Sequence, residues 1–526
     1  MTKRLINKNI DIYSYPNELE NNLGSISLGD LHGNSIKLIH FLFRHKIIKF
    51  KQEVKNIEEA YQQFVAIYEL YGDLVQEYLE IRTLLQFTQV KITNAKQKIL
   101  SIDKELLLEK GNGPEHSQPF HLKKQAETNL QLAIANEVEL EQKLSGLKER
   151  LSLCIEQFNQ FMIKLEISDI KTAIRLIGDE VADRGNCDYF TLRILDFLYQ
   201  NQVPMNIIFS NHGYEFIHAY EKLMVGQPFK PKGNIGDIQI KSFWGIQLLL
   251  EQGVISPNEL TKIIDRTYKP TLKIMDYSLS KDGITLSSHA PIRFDSIRLV
   301  ATYLGVSYDD SSKEALAATI DQMNNHFQVF IKSNKLHLLF ENNEIKDLTN
   351  MTEEERVKWP LTYLIWNRWN ESKETEDARP ASHNGYYLTY VHGHDPFQSQ
   401  LPYVYNLDTL CGKDSRKNEE EQANKAFQFL SENRYTNVDK TASEYLLRNI
   451  LRYKVLDSDE HVLKVNASSK LPRSLEGTLD SKVNADLRKL SLLKKPDAAS
   501  TPVGADRDFS TANKGASGQI TTSFHL

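Results

Sequence analysis

Apolar positions along this chain fall into two rhythms. One is a set of short β-branched and aromatic runs: Ser25-Ile26-Ser27-Leu28, Ala173-Ile174-Arg175-Leu176-Ile177, Ile207-Ile208-Phe209, Ile284-Thr285-Leu286 and Tyr387-Leu388-Thr389-Tyr390-Val391. Runs of this length and composition predict buried strands. The other is a long helical alternation. It reads Val54, Ile57, Tyr61, Phe64, Tyr68, Tyr71, Leu74, Tyr78, Ile81, Leu85, and later Leu140, Leu144, Leu147, Leu151, Ile155, Phe158, Met162, Leu165. Gly111-Asn112-Gly113-Pro114 separates the two stretches, so residues 52–166 predict an inserted antiparallel helical hairpin, a coiled coil. At 1.5 Å per residue each arm would extend roughly 65–85 Å.

Elsewhere the spacing predicts helices over Tyr189–Tyr199, Lys241–Glu251, Pro257–Asp265 and residues 312–326. Phe327–Phe340 alternates as a β-hairpin would, and residues 418–456 read as helical. Past residue 460, Ser, Thr, Ala, Lys, Asp and Gly dominate and aromatics nearly vanish, a composition that predicts disorder. The expected organisation is a polar N-terminal segment, 1–21, followed by a catalytic α/β domain split into 22–51 and 167–412 around the hairpin. A helical C-terminal extension (413–459) and a tail (460–526) complete it.

Each short run ends in residues that carry chemistry. They are Gly29-Asp30-Leu31-His32-Gly33-Asn34, Gly178-Asp179 with Asp183-Arg184-Gly185, Asn211-His212, His289 and Gly393-His394. Side chains at strand ends converge on one edge of a sheet, where a rigid scaffold holds them. Carboxylate, carboxamide and imidazole without thiolate suit manganese, iron or zinc rather than a structural Cys-type zinc site. A lone Asp-x-His is usually a surface turn, and a lone His after a strand is usually a satisfied core residue; the ordered set carries the inference. His40, His45, His218 and His392 fit no ligand position.

In this order the motifs resemble the phosphoprotein phosphatase (PPP) family of calcineurin-like metallophosphoesterases. Asn406-Leu407-Asp408-Thr409 and Trp366-Asn367-Arg368 resemble segments of its bacterial and phage branch. The resemblance implies a calcineurin-like β-sandwich flanked by helices and two divalent metals, manganese with iron or zinc as alternatives. Asp30 and His32 would hold the first metal, Asp179 would bridge, and Asn211, His289 and His394 would hold the second. A bridging hydroxide would attack phosphorus in line. Arg184 and Arg368 would clamp the phosphate, with Asn211 and His212 also touching it. His212 would protonate the leaving oxygen, steered by Asp183.

Three departures stand out. Gly178-Asp179-Glu180-Val181-Ala182-Asp183-Arg184-Gly185 carries one residue more than the family's Gly-Asp-x-x-Asp-Arg-Gly. Ser210-Asn211-His212-Gly213 lacks the acidic residue of Gly-Asn-His-Glu unless Glu215 reaches in, and Ser288-His289-Ala290-Pro291 replaces His-Gly-Gly. The ligands survive, whereas the acid-catalysis machinery is altered. A weakened acid costs least with a phenolate leaving group, whose pKa is about 10, so phosphotyrosine is the expected substrate. The alternatives are a serine/threonine phosphatase and a small-molecule phosphoesterase such as a dinucleoside-polyphosphate hydrolase.

Composition narrows the class further. The net charge of −5 argues against bulk nucleic-acid binding. Cys154, Cys187 and Cys411 have no paired spacing, the N-terminus has no secretory h-region, and no apolar run approaches a membrane span. The architecture resembles the Wip group of phosphatase effectors that Legionella injects into host cells. That implies a secreted type IV effector made in the bacterial cytoplasm and acting in host cytoplasm on a phosphorylated host protein. The tail would then address the secretion machinery. The hairpin is either a docking arm for a protein partner or an ornament packed on itself.

Overall fold

A computed structural model describes residues 3–108, 118–340, 345–370, 372–432 and 437–460. The Gly111–Pro114 turn and the tail beyond Glu460, with its expected disorder and secretion signal, lie outside these residues. The strands are β1 (Lys3–Asn9), β2 (Ser25–Leu28), β3 (Ile48–Phe50), β4 (Leu165–Ile167), β5 (Ala173–Leu176), β6 (Met205–Ile208) and β7 (Leu272–Lys273). They continue as β8 (Asp276–Leu279), β9 (Gly283–Ser287), β10 (Ser382–His383), β11 (Tyr386–His392), β12 (Val404–Asn406) and β13 (Arg452–Ser458). One mixed sheet has the order β1-β13-β2-β5-β6-β7; a second has β10-β11-β9-β8, with β12 also pairing with β11.

All five short runs seen in the sequence lie on strands. β2, β5 and β6 are parallel, as are β9, β11 and β12, so the carboxyl ends within each set point one way. Ile177, Ile208, Val391, Leu407 and Leu456, drawn from both sheets, form one buried cluster directly beneath those ends. Apolar burial of roughly 25 cal/mol per Å² fixes the sheets together where the polar turns begin.

The β2–β5 crossover contains the hairpin. β3 and β4 pair across its base, and Lys51 N–H donates to the Lys164 carbonyl at 2.9 Å, so both ends of the insert leave from one point. Helix α1 (Ser35–Arg44) precedes it, and its arms are α2 (Ile57–Leu108, 52 residues) and α3 (Gln118–Ile163, 46 residues). At 1.5 Å per residue these span about 78 and 69 Å. The aromatic residues of the first arm do more than fill a seam. Tyr61 donates to the Ile12 carbonyl and Tyr71 to the Gly245 carbonyl, both at 2.6 Å, and Tyr78 bonds Glu251. Phe158 of α3 stacks on Phe190 at 4.0 Å, so the root of the hairpin is built into the α/β body.

Several expectations need correction. Phe327–Phe340 is not a β-hairpin: the helix continues over Lys313–Lys332, and a single 3₁₀ turn, Leu336–Leu339, follows. Phe327, Phe330 and Ile331 are buried at helical spacing, and the short alternation was ambiguous between the two periods. Residues 418–456 do not remain helical either. Helices Arg416–Ser431 and Asn437–Asn449 give way to β13, which lies between β1 and β2 in the larger sheet. The polar N-terminal segment supplies the edge strand β1, whose register runs from Lys3 opposite Ser458 to Asn9 opposite Arg452. Its charges suit an edge. Among the described residues no helix is long and apolar enough to cross a membrane, and all three cysteines are free and buried.

Candidate active site

The polar turns after β2, β5, β6, β11 and β12 converge on one cavity of about 130 Å³. Asp30, His32, Asp179, Asp183, Arg184, Asn211, His212, Arg368 and His394 all line it. His289 lies fully buried just beneath, its Nε2 2.9 Å from Asn211 Oδ1 and 3.4 Å from Asp179 Oδ1. Every residue singled out in the sequence is therefore in one place.

Local backbone explains the convergence. Gly178 (φ +113°) turns the chain out of β5, and a Cβ there would lie 2.4 Å from His289 Nδ1. Asp179 and His394 themselves adopt positive φ (52° and 62°), uncommon for residues with a side chain and frequent at functional turns. Gly393 lies so close to Asp30 that a Cβ would fall 1.9 Å from Oδ1. Ser210 caps helix α5 (Asn211–Met224), and its Oγ accepts from both Asp179 N–H (3.1 Å) and Gly213 N–H (2.9 Å). The amino end of α5 thus opens onto the cavity, where backbone N–H groups favour an anion.

The donor set fits a metal. Three groups have ligand atoms within 4.8 Å of one another: Asp30, His32 and Asp179; Asp179, His289 and His394; and Asp179, Asp183 and His212. Asp179 belongs to all three. Asp30 Oδ1 and Asp179 Oδ1 are buried with no hydrogen-bond donor, a costly state for carboxylate oxygens unless a cation faces them. Burial, then Asp408 and Asp179, hold the Asp30 pKa well above the usual carboxylate range, a strain that cations would relieve. His289 Nδ1 donates to the Ile177 carbonyl at 2.8 Å, which leaves Nε2 as an acceptor facing Asn211 Oδ1. Adjacent ligands of one metal at about 2.1 Å sit roughly 3 Å apart, which matches that pair. His394 Nε2 faces the Trp366 carbonyl at 3.3 Å, which leaves Nδ1 as the nitrogen available to a metal. Burial lowers the pKa of both histidines, keeping them neutral as ligands require.

His32 differs. Its Nδ1 bonds Asp183 Oδ2 at 3.0 Å and its Nε2 bonds the Thr409 carbonyl at 2.8 Å, with Asp408 3.5 Å away. Burial opposes its charge, but hydrogen bonds to Asp183 and Asp408 outweigh burial and raise its pKa. One ring nitrogen must exchange its partner for His32 to ligate.

The extra residue in 178–185 is absorbed by a bulge. Ala182 takes φ 54°, its N–H bonds both Asp188 oxygens at 3.0 Å, and its carbonyl accepts His212 Nδ1–H. Asp183 still reaches both histidines: Oδ2 holds His32, and Oδ1 lies 3.8 Å from His212 Nε2. Burial would raise its pKa, but His212, His32 and Arg184 overcome that and hold it well below the carboxylate range. Glu215 does not replace the missing acid. Its carboxylate accepts Gly233 N–H and Asn234 N–H, both at 3.0 Å, and so fixes the loop that brings Asn234, Ile235 and Gly236 to the cavity. Arg368 donates to the His394 carbonyl at 2.8 Å and faces the cavity, whereas neighbouring Arg379 is buried over the Trp369 ring at 3.9 Å.

Sequence reasoning gave no role to Asp408, Lys413, Asn234 or Gln239, all of which line the cavity. Asp408 follows an apolar strand as the assigned ligands do, and that position was the available signal.

Buried Asp and His side chains placed for a metal, a basic rim and a helical hairpin are the setting for comparison with known proteins. Residues 173–413 match the family described as WipA-like, phosphatase domain, and residues 59–162 match WipA, alpha-helical hairpin. A search of solved structures finds the phosphatase domain from the Legionella effector WipB at 26% identity and TM-score 0.52, covering 71% of this chain and 99% of that one. No curated protein matches. The chain is a phosphatase carrying an inserted hairpin. Its phosphatase domain and its hairpin are both WipA-like.

Proposed function

We propose that this protein is a metal-dependent phosphoprotein phosphatase of the calcineurin-like PPP type, acting on phosphotyrosine. The observation that carries the proposal is the place of Asp179 in all three ligand groups, as a carboxylate shared between two metals requires. Asp30, His32 and Asp179 would hold one divalent ion and Asp179, Asn211, His289 and His394 the other, with manganese preferred over iron or zinc. Bound there, two such ions supply a nucleophile at neutral pH and Lewis-acid stabilisation of the phosphoryl oxygens.

The chain's own groups do the rest. Arg184 and Arg368 bind phosphate oxygens from the cavity rim, and the amino end of α5 adds backbone dipoles. His212 gives a proton to the leaving oxygen from Nε2, because Nδ1–H is committed to the Ala182 carbonyl. Asp183 stabilises the charge on that ring at 3.8 Å, too far for a hydrogen bond, which favours a phenolate over an alkoxide. The description of WipB as a Legionella effector supports an effector role, with synthesis in a bacterial cytoplasm and action in a host cell's.

The test is turnover with manganese of phosphotyrosine, phosphoserine and phosphothreonine peptides and of diadenosine tetraphosphate. Phosphotyrosine should be preferred; preference for the serine and threonine peptides, or for the dinucleotide, would select those alternatives instead. Asp179→Asn should lower turnover by roughly two orders of magnitude while the fold persists, since a neutral amide cannot hold two cations together. His212→Asn should cost phosphoserine more than an aryl phosphate, because the poor leaving group depends on the proton.

A further inference from the structure

Asn186 closes the loop that carries Asp183 and Arg184, and two helices grip it from behind. Its N–H donates to the Tyr68 hydroxyl, and its side-chain amide donates to the Tyr68 carbonyl, both at 3.1 Å. One turn along α2 stands Gly72, where a Cβ would lie 2.4 Å from Asn186 Nδ2. On the other side is helix α6 (Lys241–Glu251, with α4 being Asp188–Gln200). Its Gly245 admits the Asn186 carbonyl, 2.5 Å from where a Cβ would stand.

Glycine is a poor residue for a helix interior. Two helices nevertheless carry it where they meet the same asparagine, and Tyr71 bonds the Gly245 carbonyl between them. At Gly146 of α3, by contrast, a Cβ would meet nothing within 4 Å outside its own helix backbone. Three other loop amides are also fixed: Ala182 by Asp188, Asp183 by Ser242 Oγ at 2.9 Å, and Gly185 by the His32 carbonyl at 2.7 Å. The hairpin supplies the last anchor in this series.

We propose that Tyr68, Gly72 and Gly245 are positioning residues for the catalytic loop, holding Asn186 so that Arg184 faces phosphate and Asp183 faces His212. The proposal rests on the phosphatase reading above. It makes the root of the hairpin part of the apparatus that sets phosphate affinity and proton transfer.

Gly72→Ala in the full chain is the deciding variant, because helix propensity alone favours alanine. With manganese, its kcat/KM for p-nitrophenyl phosphate should fall about tenfold, through misplacement of the loop. KM should rise for every substrate through Arg184. The kcat ratio of a phosphoserine peptide to the aryl phosphate should fall through Asp183 and His212. A smaller folded fraction would scale both kcat values equally and leave KM unchanged. The manganese-induced rise in Tm should persist, and Gly146→Ala should match wild type throughout. Wild-type KM and substrate ratio in folded Gly72→Ala would overturn the proposal. Should that variant fail to fold, Tyr68→Phe decides by the same two readouts. A wild-type protein inactive on both substrates would instead sink the phosphatase reading, and this proposal with it.

Discussion

The root and the tip of the hairpin are built from the same two helices, yet they live in different surroundings. At the root, Tyr61, Phe64, Tyr68, Tyr71, Leu74 and Tyr78 are all buried, and four of their hydroxyls bond groups outside the hairpin. Phe64 also stacks on Phe161 at 4.5 Å, and Arg82 lies over the Trp244 ring at 4.2 Å. Toward the tip, α2 and α3 chiefly meet each other: Asn136 Nδ2 donates to Thr88 Oγ1 at 2.9 Å, and Ile92, Ile102 and Ala126 fill the seam. There Phe87 is 62% exposed and Leu107 78%. One amphipathic pattern thus serves two surroundings, with the root fastened to the catalytic body and the outer described turns exposing Phe87 and Leu107. The choice between ornament and docking arm applies to the tip; the root is neither.

Removing the whole insert is the harshest trial of this contrast. Replacing residues 52–166 by a Gly/Ser linker strips the cover from Phe190, Asn186 and Trp244. Loop closure tolerates such a change. The packing does not: each buried aromatic lost is worth about 3–5 kcal/mol, against a typical domain stability of about 5–15 kcal/mol. We expect little folded protein and no turnover, measured by circular dichroism and aryl phosphate hydrolysis. A folded, active deletion would show that the root is dispensable.

Next in size is a single root residue. Phe64→Ala should destabilise by about 3–5 kcal/mol in urea unfolding, because Phe64 is fully buried against Phe158 and Phe161, and Phe158 is itself held by Phe190. A loss below about 1 kcal/mol would place the root with the tip.

Excising residues 89–135 and joining Thr88 to Asn136 by a short linker should then be mild. Every root contact remains, so aryl phosphate turnover should stay within about twofold of wild type. If the tip docks a phosphorylated protein target, turnover of that target should fall by a factor of ten or more at low concentration, since docking raises local substrate concentration. Equal turnover of both substrates would leave the ornament reading in force for the tip.

Leu107→Ser should have the smallest effect. An exposed leucine away from a cap or cavity contributes little, so stability should change by about 0.5 kcal/mol at most. A larger loss in monomeric protein would reveal packing at the tip that its exposure does not suggest.

Much of the site was legible because its determinants are local. A strand followed at once by Asp, Asn or His places that side chain at a sheet edge whatever the partner strands are, so Asp30, Asp179, Asn211, His289 and His394 could be read one turn at a time. The hairpin was legible for the same reason, as a repeat every three or four residues. Partnerships across long separations were not. β13 reads as a polar continuation of helix because its charged residues are satisfied far away: Asp457 accepts from Arg4 at 2.6 Å, and Lys454 donates to Gln398 at 2.8 Å. Nothing within residues 452–458 announces those partners. Nor could spacing reveal that Ala182 takes a left-handed backbone to absorb an extra residue, or that Glu215 holds a loop instead of a histidine. The sequence by itself determined which residues stand at strand ends and which face of each arm is apolar, since periodicity of two or 3.6 residues is a property of a single element. Tertiary structure alone decided what those faces meet. The first arm's tyrosines became anchors to the body because burial obliges each hydroxyl to find a partner: Ile12 for Tyr61, and Asn186, Gly245 and Glu251, more than a hundred residues away, for Tyr68, Tyr71 and Tyr78.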